Sequence, residues 1–208
     1  MRATEHAPRD PFRVLERRHG LADIVERGAV ILAEALLSLH QRLGLHYDNI
    51  LALQSNLANT YAKVGRIEEA MRMRRDVYSE RLKRYGEETR DTLIAANNYA
   101  GSLGVLRRFE EVIPLFRKVI PVARRVLGDG DEITLKMRKM LAAALFVDPA
   151  ATLDDVREAV TTLEETARTA RRVMGGAHPL TTEIEATLLN ARAALRAREE
   201  TQPSPGSG

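Results

Sequence analysis

The chain has 208 residues, of which 44% are hydrophobic, and it contains neither cysteine nor tryptophan. The absence of cysteine excludes a disulfide framework, a thiolate metal site and a cysteine nucleophile. The formal charge is only +3 because 29 acidic residues offset 32 basic ones, and this balance argues against nucleic acid as a partner. The longest apolar run, residues 28–39, is interrupted by Glu34 and is too short to span a bilayer. We therefore expect a soluble cytoplasmic protein that is not inserted in a membrane.

Regularly spaced glycines indicate an internal repeat. Each of them ends a long segment that carries Arg or Lys, and the successive spacings are 42, 42 and 47 residues. Glycine commonly follows the end of a helix. Candidate N-cap residues stand three positions after two of these glycines, at Thr89 and Asp131. Each such glycine therefore marks a junction between two helices; the four are Gly44, Gly86, Gly128 and Gly175.

Apolar residues spaced three and four positions apart predict the helices in chain order. Ahead of Gly44, residues 26–43 fit a helix, and residues 12–19 supply a short or degenerate partner. Each later repeat has a first and a second helix, separated in the first full repeat by Gly65. In the third repeat a longer turn holds a capping pair, Thr152 and Asp155. From Gly44 onward the predicted helices cover residues 48–64, 66–85, 89–105, 109–127, 131–146, 153–174 and 179–198.

These helices predict one all-α domain over residues 12–198, which leaves no room for a second, catalytic domain. We expect residues 1–11 to be flexible, and residues 199–208 to be disordered because they are rich in Pro, Gly and Ser. The domain divides into a partial repeat 12–43, three repeats at 44–85, 86–127 and 128–174, and a capping helix 179–198.

The stretch LANTYAKVGRIEEA, residues 57–70, resembles a tetratricopeptide repeat in the spacing of Leu57-Ala58, Tyr61, Gly65 and Ala70. The 42-residue period, together with GGAHPLT at residues 175–181, is similar to the longer repeats of kinesin light chains. The resemblance covers residues 26–198 and departs from the pattern in the second repeat, where Arg107 and Val112 replace Gly65 and Ala70.

This resemblance implies a right-handed superhelical solenoid of antiparallel helix pairs. First helices would line the concave side and second helices the convex side, and the protein would act as an adaptor for other proteins. It also implies that Asn56, Asn97 and Asn98 contact a bound extended peptide. A rival interpretation is a structural repeat segment that associates with itself, as a homo-oligomer, and has no specific peptide ligand.

Polar residues on the first helices are the candidate binding residues. An Asn amide has two donors and an acceptor, which suits it to holding a peptide backbone of any sequence. The lysines would favour an acidic peptide. Alternatively, the asparagines serve only to tie neighbouring helices together. The candidate peptide-binding residues are Asn56, Asn59, Lys63, Asn97, Asn98 and Lys139.

The sequence gives little support for catalysis. The five His residues are scattered, and none has a second His at metal-ligand spacing. A glycine-rich phosphate loop and a serine-hydrolase motif are both absent from the sequence. We therefore predict no enzyme activity, no catalytic or metal-binding residue, no cofactor and no small-molecule substrate. The arginines of the second helices are interleaved with acids and are interpreted as a solvated face.

Overall fold

The structure, a computed structural model, describes residues 11–44 and 47–201. Within these residues it is entirely α-helical and contains no strand. The predictions for residues 1–10 and 202–208 lie outside the described part of the chain. The helices are α1 (Pro11–Arg42), α2 (Tyr47–Lys63), α3 (Ile67–Tyr85), α4 (Arg90–Val105), α5 (Phe109–Leu127), α6 (Glu132–Val147), α7 (Leu153–Met174) and α8 (Pro179–Thr201).

The segment before Gly44 differs from the prediction of a short helix followed by a longer one. It forms the single helix α1, and both Gly20 and Gly28 lie inside it. An interior glycine costs about 1 kcal/mol relative to alanine, but it keeps its backbone N–H and does not by itself end a helix. At the other end of the chain, α8 continues three residues beyond the predicted boundary at residue 198. After that boundary the sequence has no proline or glycine before Pro203, so nothing in it ends the helix earlier.

The predicted helix caps are present. The side chain of Thr89 accepts a hydrogen bond from the backbone N–H of Thr92 at the start of α4. The Asp131 carboxylate accepts one from Ile133 at the start of α6. Thr152 and Asp155 form a reciprocal capping box at the start of α7. These bonds satisfy backbone donors that a helix start otherwise leaves without partners, so the local sequence fixes where each of these helices begins.

The chain divides into two compact units between Met73 and Arg74, within α3. In the first unit, Val30 and Leu37 of α1 pack with Leu57 and Tyr61 of α2 and with Ala70 of α3. A polar cluster borders this core. The Tyr61 hydroxyl donates to the Glu34 carboxylate, and the Arg66 guanidinium lies 4.2 Å from the centre of the Tyr61 ring. Burial, followed by the hydrogen bond with Glu34, raises the pKa of Tyr61.

In the second unit, α4 packs against α5 and α6, and α6 packs against α7 and α8. Large side chains of successive helices fill the core, among them Phe116, Leu135, Leu163 and Ile184, which are almost completely buried. The first helices α4, α6 and α8 are thus successive neighbours, and α5 and α7 are their second helices. This order brings the same repeat positions of α4 and α6 next to each other, where the candidate site lies.

Candidate protein-interaction groove

An open groove of about 460 Å³ lies between α4 and α6 in the second unit. Gly101 of α4 and Met140 of α6 approach each other there: a Cβ atom added to Gly101 would lie 3.4 Å from the Met140 Cε atom, close to ordinary van der Waals contact. We call this feature the apolar groove. Its lining residues are Ala100, Gly101, Gly104, Val105, Arg107, Phe109, Val112, Met140, Ala143, Ala144 and Val147.

Two valines stand in solvent at the edge of the apolar groove. Val105 and Val147 are the last residues of α4 and α6, and they are 66% and 38% exposed. They occupy equivalent repeat positions, 42 residues apart. The floor beneath them is buried and includes Ala100, Val112 and Ala144. An exposed apolar patch on a built, concave floor is the type of surface that marks an interaction site.

Arg107 places a positive charge at the margin of the apolar groove. It lies in the turn between α4 and α5, where its backbone N–H donates to the Gly104 carbonyl at 3.0 Å. Its φ angle is 58°, in the left-handed region that favours glycine. The guanidinium carbon lies 5.4 Å from the centre of the Phe109 ring. Among the residues that the structure describes, Arg107 forms no ion pair, so its charge is available to a ligand.

Three of the predicted binding residues lie on α4 and α6, the helices of the apolar groove, but none of them is among its lining residues. Asn97 and Asn98 are half-buried on α4, and the Oδ1 atom of Asn97 is buried without a hydrogen-bond partner in the described part of the chain. Lys139 of α6 is already paired, because its Nζ atom lies 2.5 Å from the Glu183 carboxylate of α8. This bond lowers the pKa of Glu183. The Lys139 charge is therefore neutralised within the protein.

The other predicted binding residues lie on α2, in the first unit. Asn56, Asn59 and Lys63 are all exposed. They are three and four residues apart, so they share one face of the helix. The backbone carbonyl of Asn56 accepts a hydrogen bond from the Thr60 hydroxyl at 3.0 Å, which is a contact within the helix. The structure thus collects these three side chains on one polar, solvent-facing surface.

The sequence-based prediction named only polar residues and so missed the apolar side chains that line the groove. They become visible when equivalent positions of successive repeats, 42 residues apart, are compared. Asn98 corresponds to Met140, Asn59 to Gly101 and Ala143, and Lys63 to Val105 and Val147. The same helix face therefore changes from polar in the first full repeat, through a mixed second repeat that keeps Asn98, to apolar in the third. A comparison of equivalent positions, rather than of residue polarity, would have identified it.

Neither a metal centre nor a membrane span is found in the described residues. No cluster of three or more His, Asp or Glu residues there could hold a metal ion. None of the described helices combines the length and apolar character needed to cross a bilayer.

A sequence model of the family described as tetratricopeptide repeat matches residues 50–91. No curated protein matches the chain. Among solved structures, the fold is similar to that of TPR-like repeats from a protein described as a Podosopora anserina kinesin light chain; those repeats are described as nearly identical to one another. That structure is 23% identical, with a TM-score of 0.67, and the match covers 93% of this chain and 92% of the other. A substituted form of the same repeats is 23% identical with a TM-score of 0.69, covering 89% of this chain and 88% of the other.

BtubC (BKLC) from P. vanneervenii is also similar, at 17% identity and a TM-score of 0.56, covering 92% of this chain and 90% of the other. The predicted all-α, TPR-like fold class and the predicted resemblance to kinesin-light-chain-like repeats are confirmed. Folds of this type generally serve as scaffolds for protein interactions. Residues 50–91 thus match the tetratricopeptide repeat model, and the chain has the TPR-like fold of these kinesin-light-chain-like structures.

Proposed function

We propose that the chain is an adaptor that binds an extended segment of a partner protein, with apolar side chains of that segment in the apolar groove. The observation that carries this proposal is the exposure of Val105 and Val147 above a buried apolar floor. Covering a valine removes apolar surface from water and stabilises a complex by about 1.5 kcal/mol or more when the side chain becomes fully buried.

An extended peptide suits the dimensions of the site. The groove has a volume of about 460 Å³, which accommodates a few side chains of a partner rather than a whole helix. Alternate side chains of a strand point to the same side, which lets two of them enter the apolar groove. Asn97 and Asn98 lie on α4 about two turns before Val105, where their amides can bond the backbone of such a segment.

An acidic residue in the segment is part of the proposal. Arg107 stands at the groove margin without an ion-pair partner in the described residues, and a guanidinium binds a carboxylate through two parallel hydrogen bonds. Lys63 is exposed beside Asn56 and Asn59 on the separate α2 surface of the first unit, and it is not part of the apolar groove. Lys139 contributes less to this preference, because Glu183 already neutralises it.

The test compares two glutamate substitutions at equally exposed apolar residues. Val105→Glu places a charge in the apolar groove, whereas Leu189→Glu places one on α8, outside the groove lining; both residues are 66% exposed in the protein. We expect the intact chain and the Leu189→Glu variant to capture the same partner segments from a peptide array. Val105→Glu should weaken that binding at least about tenfold, the factor that corresponds to about 1.4 kcal/mol.

Equal binding by both variants would contradict the proposal. Sedimentation over a range of concentrations separates it from self-association. If the intact chain forms dimers that Val105→Glu dissociates, the groove is occupied by a second copy and the peptide proposal is wrong. Val147→Glu and Val126→Glu form a second matched pair, because both valines are 38% exposed and only Val147 lines the groove.

A further inference from the structure

A second concavity, of about 410 Å³, lies where α5, α6 and α7 meet, and none of its lining residues belongs to the apolar groove. Four guanidinium groups and two carboxylates line it, which leaves two positive charges uncompensated. We call it the arginine pocket. Its charged residues are Arg124, Asp129, Arg138, Glu165, Arg168 and Arg172.

The preceding repeat provides an internal reference for the arginine pocket. At the equivalent position, between α3, α4 and α5, the space is only about 10 Å³ and is lined mainly by apolar side chains. Ala96 there is completely buried, and Val122 packs beside it. Arg138 and Thr169 stand at the equivalent positions, 42 and 47 residues later. The backbone of the repeat therefore allows a closed apolar contact at this position. The third repeat has an open, charged concavity there instead.

Arg138 is the least expected residue of the arginine pocket. It is 7% exposed, and its guanidinium donates to the Glu165 carboxylate at 2.8 Å, whereas the Glu165 side chain is 53% exposed. Burying a guanidinium costs desolvation energy that the Ala96 position does not incur. A partner that lies half in solvent offsets only part of this cost, so the site favours a further anion.

Arg124 is held by Asp129 through its Nε and Nη2 atoms, whereas the two arginines of α7 have unused donors. Arg168 uses its Nε atom for the Glu164 carbonyl at 3.4 Å. In the described part of the chain, Arg172 makes neither a hydrogen bond nor an ion pair. The positive field of the arginine pocket is visible at Asp129. The hydrogen bond from Arg124, with the charges of Arg124, Arg138 and Arg172, lowers the pKa of this carboxyl group despite its partial desolvation.

We infer that the arginine pocket binds a phosphate group, carried by a small ligand or by a phosphorylated side chain. Guanidinium groups present paired N–H donors that match the oxygens of a phosphate dianion. Thr169 lines the same wall, but its hydroxyl already donates to the Glu165 backbone carbonyl at 3.0 Å, so the donors to phosphate are the guanidinium groups. The inference does not depend on the apolar groove, because the two sites share no residue.

The probe is inorganic phosphate, titrated by calorimetry into the full chain at constant ionic strength. Arg168→Gln and Arg172→Gln should each weaken binding about twofold to fivefold, as expected for one exposed charge contact. The matched control is Arg125→Gln, because Arg125 occupies the position equivalent to Arg172 in the preceding repeat and is similarly exposed. That variant should bind phosphate like the unmodified chain.

A substitution of opposite sign guards against loss of folding. Glu165→Gln removes a carboxylate that competes for Arg138, so phosphate binding should tighten by about threefold or more; a partly unfolded protein cannot show this result. A phosphoserine peptide compared with its unphosphorylated form identifies the carrier: tighter binding than free phosphate indicates a phosphorylated segment, and equal binding indicates a small phosphate ligand. The inference is overturned if phosphate does not bind saturably, or if the Arg172, Arg125 and Glu165 variants bind it equally.

Discussion

Arg107 gives a direct test of how the groove margin is built. It stands where the first full repeat has Gly65, and both residues have positive φ angles, 58° and 81°. We consider two variants, Arg107→Gly and Arg107→Ala. Both remove the guanidinium and its contact with Phe109, but only glycine also relieves the left-handed backbone. The difference between the two variants therefore isolates the backbone conformation.

The magnitudes follow from these two contributions. A partly exposed cation–π contact stabilises a protein by about 0.5–1 kcal/mol, so Arg107→Ala should be less stable than the unmodified chain by that amount. Relief of the left-handed conformation is worth about 1 kcal/mol, so Arg107→Gly should be about as stable as the unmodified chain. Gly65→Ala is the reciprocal control. An added Cβ there meets no atom within 4 Å, so its cost, also about 1 kcal/mol, is purely conformational.

The assay is urea-induced unfolding followed by circular dichroism, supported by thermal midpoints, where 1 kcal/mol corresponds to about 2–4 °C in a chain of this size. Equal stability of Arg107→Gly and Arg107→Ala would refute the argument about the backbone. Peptide binding provides the second readout. If Arg107 holds a carboxylate of the partner, both variants should lose the same affinity although their stabilities differ.

Two further predictions concern packing and pH. Gly101→Ala should raise the unfolding free energy by up to about 1 kcal/mol, because alanine is the better helix former and its Cβ would lie 3.4 Å from the flexible end of Met140. The added methyl group narrows the apolar groove, so the variant should bind the partner segment less tightly. A loss of stability would show that the contact with Met140 is not tolerated. Hydrogen bonds from Thr152 lower the pKa of Asp155, so its stabilising contribution is present above the unfolded pKa of about 3.9 and is lost as the pH falls below it. Asp155→Asn should therefore reduce the fall in thermal midpoint between about pH 5 and about pH 3, and an unchanged pH profile would contradict this role of the capping box.

Local rules accounted for most of the helices. Glycine junctions, caps such as Thr89 and Asp131, and apolar spacing depend on residues close in sequence, so they can be evaluated without the tertiary structure. The ends of α5 and α7 were predicted without error. The same rules failed before Gly44, where they predicted a short helix over residues 12–19 and a separate one over 26–43, whereas α1 is continuous. Helix continuity also depends on packing that no local window contains.

The candidate site was harder to predict because its properties arise between helices. Lys139 looks like a cation for a ligand until α8 brings Glu183 to within 2.5 Å of it. Arg138 looks like a solvated arginine on a helix, yet it is 7% exposed because α7 covers it. Val105 resembles a core residue at the end of a helix, yet it is 66% exposed. In each case burial or partnership is set by residues far away in sequence.

The repeat frame explains why such changes are tolerated at all. Ala100 and Ala142, at equivalent positions of α4 and α6, are both completely buried, so the contacts that align successive helices are maintained. Positions next to these buried alanines can then vary without loss of the fold, since each repeat packs mainly on its neighbours. A chain that only had to stack would gain stability by using the apolar Ala96 arrangement again in the third repeat. The third repeat instead has Arg138 at this position, which costs desolvation energy and gains little packing. This desolvation cost, more than the positive charge, distinguishes the arginine pocket from the solvated arginines elsewhere on the second helices.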